Sequence, residues 1–201
     1  MTARFGEAEF QLVLLRRMAD FQPGLVEQAR QRLGFSATEM RQVNADWQRF
    51  VRSRTALRGV ARYRAVLGAA ADVREQRVGD LACRLHRWAL PLWPGLLFEA
   101  VEGTEGAVWQ EWLVREPGTR PPEVPQSGVL TPWRYVVGDL PLLFPSVRHL
   151  PEDAPHRWVS RYSLADPAVR GGDPGEEVRS YRARFVYGLV QEVEPVAGAV
   201  S

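Results

Sequence analysis

The chain has 201 residues, 45% hydrophobic and 25% charged, an ordinary globular composition long enough for one large domain or two small ones. Fibrous, collagen-like and wholly disordered chains are excluded. The formal net charge is +2, and the single cysteine, Cys83, excludes an intrachain disulfide and with it a disulfide-stapled scaffold.

All 26 basic residues are arginine. Without lysine, a Walker phosphate loop, a Schiff-base lysine and a kinase-type lysine are all impossible. Isoleucine is also absent, and Asn44 is the only asparagine. Lys, Ile and Asn share AT-rich codons, so the chain reads as the product of a GC-rich bacterial genome. The arginine content is then partly a coding effect rather than a sign of phosphate recognition. The N-terminal residues lack the apolar run of a signal peptide, and Leu12–Leu15 is too short to cross a bilayer. These features lead to the expectation of a cytoplasmic protein with no membrane association.

The chain changes character near Pro94. Residues 1–95 hold 16 arginines against 9 acids, net +7, whereas residues 96–201 hold 10 against 15, net −5. Twelve of the 15 prolines follow Pro94. An interior proline costs a helix about 3 kcal/mol, so the second part cannot consist of long helices. The expected organisation is a basic helical region, 1–93, and an acidic β-rich region, 94–201, packed together through the Trp88–Trp93 junction.

In chain order, Phe10, Leu14, Met18 and Phe21 mark one face of a helix from Glu7. Pro23 suits the first turn of a second helix, carrying Leu25, Val26, Ala29 and Leu33 and stopping at Gly34. Ser36-Ala37-Thr38-Glu39 is a capping box, with Phe35 and Met40 at the hydrophobic-staple positions. The helix it opens continues through Val43, Trp47, Phe50 and Val51. Leu57, Val60 and Leu67 suggest a fourth helix or a continuation. Val78, Leu81, Leu85 and Trp88, spaced three, four and three, predict another over Val73–Ala89.

Beyond Pro94, Leu96–Val101 and Val108–Val114 flank Gly103–Gly106 as a hairpin. Glu116–Gln126, with four prolines, reads as an extended loop. Trp133–Val137 reads as a strand, and Trp158–Leu164 alternates as another. Val178–Val193 reads as one strand with Tyr181, Ala183, Phe185, Tyr187, Leu189 and Val193 on a single face. Asp166–Glu177 is a predicted surface loop. The fold class is therefore α+β, with four or five helices followed by a mainly antiparallel sheet.

The candidate functional residues fall into four groups. Trp47–Ala71 contains no acid and six arginines, Arg49, Arg52, Arg54, Arg58, Arg62 and Arg64. Arg54, Arg58 and Arg62 are four apart, which predicts one basic helical face. Its partner is either phosphate or carboxylates of the acidic region, such as Glu99, Glu102, Glu105, Glu111 and Glu116. Trp109 and Trp112, three apart on a predicted strand, fall on opposite faces, so one is a candidate interface aromatic. Ala29, Gly34 and Met40 resemble the pattern of a DNA-binding helix-turn-helix, but the first spacing is five rather than four, and any tight pair of capped helices gives it.

His149–His156, a proline-bounded stretch with Glu152 and Asp153, carries residue types suited to acid–base or metal chemistry. Cys83 and His86 have ligand spacing but lack a second pair to complete a zinc site. Catalytic residues, metal and cofactor are accordingly expected to be none. The reading is a non-catalytic protein-interaction component of a bacterial cytoplasmic assembly with a protein partner. The alternative is nucleic-acid binding through Arg49, Arg52, Arg54, Arg58 and Arg62.

Overall fold

A computed structural model describes residues 5–151, 154, 156–164 and 179–196. It is α+β, with helices α1 (Glu7–Met18), α2 (Pro23–Arg32), α3 (Ala37–Arg52), α4 (Val60–Leu67) and α5 (Leu140–Leu143). Eight strands follow α4: β1 (Asp72–Val78), β2 (Leu81–Ala89), β3 (Leu96–Glu102), β4 (Val108–Arg115), β5 (Ser146–Leu150), β6 (Arg157–Leu164), β7 (Arg179–Val186) and β8 (Leu189–Val196). They form two four-stranded sheets in the orders β1-β2-β3-β4 and β5-β6-β7-β8. The pairings β1–β2, β2–β3, β5–β6, β6–β7 and β7–β8 are antiparallel. The chain divides into two compact units, Met1–Trp112 and Leu113–Ser201, so the boundary falls inside β4.

In the first unit, α1 buries an unbroken run from Phe10 to Leu15, with Met18 beyond it. Phe10 sits at the centre of an aromatic core. Its ring meets Trp47 of α3, Tyr63 of α4 and Phe98 of β3 edge-on, with centroids 5.5, 5.9 and 4.9 Å away. Trp88 and Trp93 are buried within this same unit. The capping box forms as expected: Glu39 N donates to Ser36 Oγ at 3.1 Å, and Ser36 N donates to Glu39 Oε2 at 2.6 Å. The α2–α3 turn is closed by Gly34 at φ 77° and by Arg30, which donates to the Phe35 carbonyl and to Glu27. Those contacts give the turn a structural explanation.

The predicted helix over Val73–Ala89 is instead the β1–β2 hairpin. Val78 pairs with Leu81 across Gly79-Asp80, and Gly79 has φ 59°. A two-residue turn needs that conformation, which glycine supplies without steric cost. Both faces of β2 carry apolar residues. Cys83 and Leu85 pack with Val101 on one face, while register places His86 and Trp88 beside Ala100 and Phe98 on the other. Two interleaved period-two rows imitate helical spacing.

The predicted single strand Val178–Val193 is likewise a hairpin. Val186 pairs with Leu189, and Tyr187 and Gly188 both lie at positive φ, 48° and 73°, as a tight hairpin turn requires. Trp133–Val137 is not a full strand. Val136 bridges Leu189, and backbone bonds link Trp133 to Val190 and Val137 to Gly188, so this segment borders β8. β5 takes in His149 and Leu150, the first two residues of the proline-bounded His149–His156 stretch. The predicted loop Asp166–Glu177 lies outside the described residues, as do Glu152 and Asp153.

Within the second unit, Tyr162 stacks between Phe144 at 4.1 Å and Tyr181 at 5.3 Å. Asp139, fully buried, accepts from Arg115 Nε and Nη2 at 2.8 and 2.7 Å and from Val136 N at 2.9 Å. A buried carboxylate satisfied three times over is the arrangement that low-dielectric burial demands.

Candidate interaction surface

β1 is the outermost strand of the first sheet. Among the described residues no strand pairs with its outer edge, and six of its seven residues are exposed. An unpaired row of backbone N–H and C=O groups is a template for an incoming strand. The hairpin also exposes apolar side chains: Val73 at 50%, Val78 at 56% and Leu81 at 52%. Along β1, Asp72, Arg74, Glu75 and Arg77 alternate in sign. Glu75 and Arg77 share the face that carries Arg84 and Ala82, and Arg74 and Gln76 share the other.

Beside this edge lies a cleft of about 580 Å³ whose lining includes Glu75, Arg77, Arg84, Glu102 and Glu105. Much of its charge is paired within the wall. Arg84 stands 3.6 Å from Glu75, and Arg77 donates to the Asp80 carbonyl at 3.2 Å. Glu102 reaches inward to His86, which is 1% exposed, at 2.8 Å from Nε2. Arg64 Nη2 lies 3.5 Å from His86 Nδ1. A guanidinium only donates, so Nδ1 is the acceptor and Nε2 carries the proton given to Glu102.

The expected basic face of Arg54, Arg58 and Arg62 does not exist as one helical stripe. α3 stops at Arg52 and α4 starts at Val60. Ser53 turns the chain, its hydroxyl accepting from Thr55 N at 3.3 Å, a local bond that competes with helix. Gly59 then adopts φ 58°, ψ −146°. Arg49 pairs with Asp46 on its own helix. Arg52, Arg54 and Arg58 are exposed, and among the described residues none makes an ion pair. Of Arg54, Arg58 and Arg62, Arg62 turns inward. It lies 5.2 Å from the Tyr63 ring centroid, and its Nε is buried with no hydrogen-bond partner among the described residues. Its charge acts on Glu111, which also accepts from the Tyr63 hydroxyl. Burial pushes the Glu111 carboxyl above its usual range, and Arg62 partly opposes that.

The two candidate tryptophans separate. Trp109 remains 39% exposed, its ring lying over Gly103 so closely that a Cβ there would stand 1.7 Å from it. Trp112 is half-buried and donates its indole N–H to Glu99 Oε1 at 2.8 Å. Glu99 is buried and also accepts from Arg87 Nε at 2.7 Å. Of the histidine stretch, His149 Nδ1 lies 2.8 Å from Ser160 Oγ, and His156 stacks on Tyr187 at 5.3 Å. Cys83 and His86 occupy opposite faces of β2, so they do not converge on one ion. Among the described residues no group of three His, Cys, Asp or Glu side chains is placed to hold a metal, and no helix is long and apolar enough to cross a membrane.

Sequence reading missed the β1 edge. The available signal was the Gly79-Asp80 dipeptide between two runs of strand length.

No protein-family model matches the chain, and no curated protein matches it in sequence. Among solved structures, a candidate beta-lactamase inhibitor protein from Streptococcus mutans is similar over 72% of this chain and 86% of its own, with 9% identity and a TM-score of 0.28. A similarity at that level carries no argument about fold or function.

Proposed function

We propose that the chain is a non-catalytic protein-interaction component, and that an extended segment of a protein partner docks on the outer edge of β1. The observation that supports this reading is the pairing of a bare strand edge with exposed Val73, Val78 and Leu81. Strand addition draws affinity from main-chain hydrogen bonds and specificity from alternate side chains, and both are on offer here. The test is affinity capture from source-cell extract with the wild type and a Val73→Lys/Val78→Lys variant. Both side chains are half exposed, so the variant keeps its fold, checked by circular dichroism. A partner captured by the wild type and lost by the variant is the expected result. Identical capture by both chains overturns the reading.

A second reading, nucleic-acid binding, is favoured by exposed Arg52, Arg54 and Arg58 with no acidic partner among the described residues. Phosphate contacts there would show as salt-dependent affinity, each contact adding about 0.9 to the slope of log K against log salt. Replacement of all three by glutamine flattens that slope if the reading holds. A slope unchanged by the replacement sinks it.

A further inference from the structure

We infer that the segment docking on β1 is β1 of a second copy of this chain, paired antiparallel about Gln76. This inference rests on the proposed use of the β1 edge, and it names the occupant.

The argument is one of register. Two identical strands paired antiparallel are related by a two-fold axis normal to the sheet, so each register sets one residue opposite itself. Residues directly opposite share a face and interact, and like charges there are destabilising. With Glu75 at the centre, Glu75 faces Glu75. With Arg74 or Arg77 at the centre, arginine faces arginine. With Gln76 at the centre, two amides meet, Glu75 faces Arg77 twice, and Arg74 faces Val78 twice. Among these five strand residues, 74–78, no like charges stand directly opposite.

The Glu75–Arg77 pairs both fall on the face that carries Arg84 and Ala82. On the other face, the arginine stems cover Val78, an exposed apolar residue of this edge. A register centred on Val73 also opposes unlike charges, Asp72 and Arg74. It uses only three residues of the strand, however, and Asp72 is already bound to Arg74 at 2.8 Å and to Arg87 at 3.2 Å. Edge charges ordinarily keep strands from adding to one another. Here they select one register instead. The product is one continuous eight-stranded sheet in which β1 is no longer an edge.

A contact of five strand residues per chain, residues 74–78, is small for a protein interface, so the dimer is weak and is sought at micromolar and higher concentrations by sedimentation equilibrium of the full chain. Glu75→Arg and Arg77→Glu each set like charges opposite in the Gln76 register, and each is expected to weaken dimerisation about tenfold. The double variant E75R/R77E restores the pairs with reversed polarity and recovers dimerisation. An equimolar mixture of the two single variants dimerises more tightly than either variant alone, because the heterodimer again sets unlike charges opposite. Because these side chains are largely exposed, unchanged circular dichroism is expected throughout.

A wild type that stays monomeric, single variants that dimerise like the wild type, or a double variant that fails to recover each overturns self-pairing. A monomeric wild type whose capture from extract still depends on Val73 and Val78 overturns self-pairing and leaves edge docking standing. A monomer with no such capture overturns both.

Discussion

Gly59 lies against the carbonyl of Gly106: a Cβ at position 59 would stand 2.1 Å from that oxygen. The entry to α4 is thereby held against the β3–β4 connection. The Gly59 backbone, at φ 58° and ψ −146°, is in a region open essentially only to glycine. Gly59→Ala therefore combines strain with a steric clash. Gly68 has φ 78°, and a Cβ at that position would meet nothing within 4 Å, so it supplies the control for strain alone. In urea denaturation, Gly68→Ala is expected to cost about 1–3 kcal/mol and Gly59→Ala more. Equal losses would show that the approach to Gly106 relaxes freely.

Glu111 gives the first unit a pH signature. Its carboxyl is held above the usual range by burial, so the folded state keeps a proton that the unfolded state gives up. Stability from this group is present below the ordinary carboxylate pKa and declines as pH rises from there through the raised value. Glu111→Gln cannot titrate and still accepts from Tyr63. Wild type is expected to lose stability relative to this variant across that window. Parallel stability–pH curves for the two chains would contradict the assignment.

Ser36→Ala removes the hydroxyl that accepts from Glu39 N and is expected to cost on the order of 1 kcal/mol, read from the denaturation midpoint. Hydrogen bonds from Ser36 also hold the Glu39 carboxyl below its usual range. That share of the cap is in place at neutral pH and disappears as pH falls through the lowered value. Unchanged exchange protection of the amides at the start of α3 in the variant would count against the cap.

Trp112 behaves as a structural donor here. Trp112→Phe keeps a ring and removes the indole N–H from buried Glu99, a charged acceptor. The expected loss is about 1.5–3 kcal/mol, with capture of a partner from extract unchanged once the variant is folded. Lost capture at full stability would instead make Trp112 an interface residue.

The helical start of the chain was legible because its signals are local. Pro23, Gly34 and the Ser36–Glu39 box each act through neighbours a turn away, and α2 and α3 begin where Pro23 and the box place them. β2 was illegible by period alone. It is buried on both faces, so Cys83 and Leu85 on one side and His86 and Trp88 on the other blur the alternation of a half-buried strand. The same ambiguity hid the Tyr187-Gly188 turn inside a long apolar alternation. For the candidate surface, the arginines were visible as composition, but their grouping depended on whether residues 53–59 were helical. Ser53 and Gly59 decide that they are not. The charge order along β1 was in plain sight, yet it means nothing until the strand is known to be an edge.

Each sheet follows chain order strand by strand, and that arrangement has a kinetic consequence. Every pairing within a sheet joins neighbours in sequence, so no distant loop must close before a ladder can grow, and contact order stays low for a β-rich protein. Gly79-Asp80 and Tyr187-Gly188, each only two residues long, are the shortest closures in the two sheets and the natural points for zipping to begin. Substitutions that disfavour positive φ at Gly79 or Gly188 should then slow refolding more than they hasten unfolding, whereas substitutions at the strand ends remote from those turns should act chiefly on the unfolding rate.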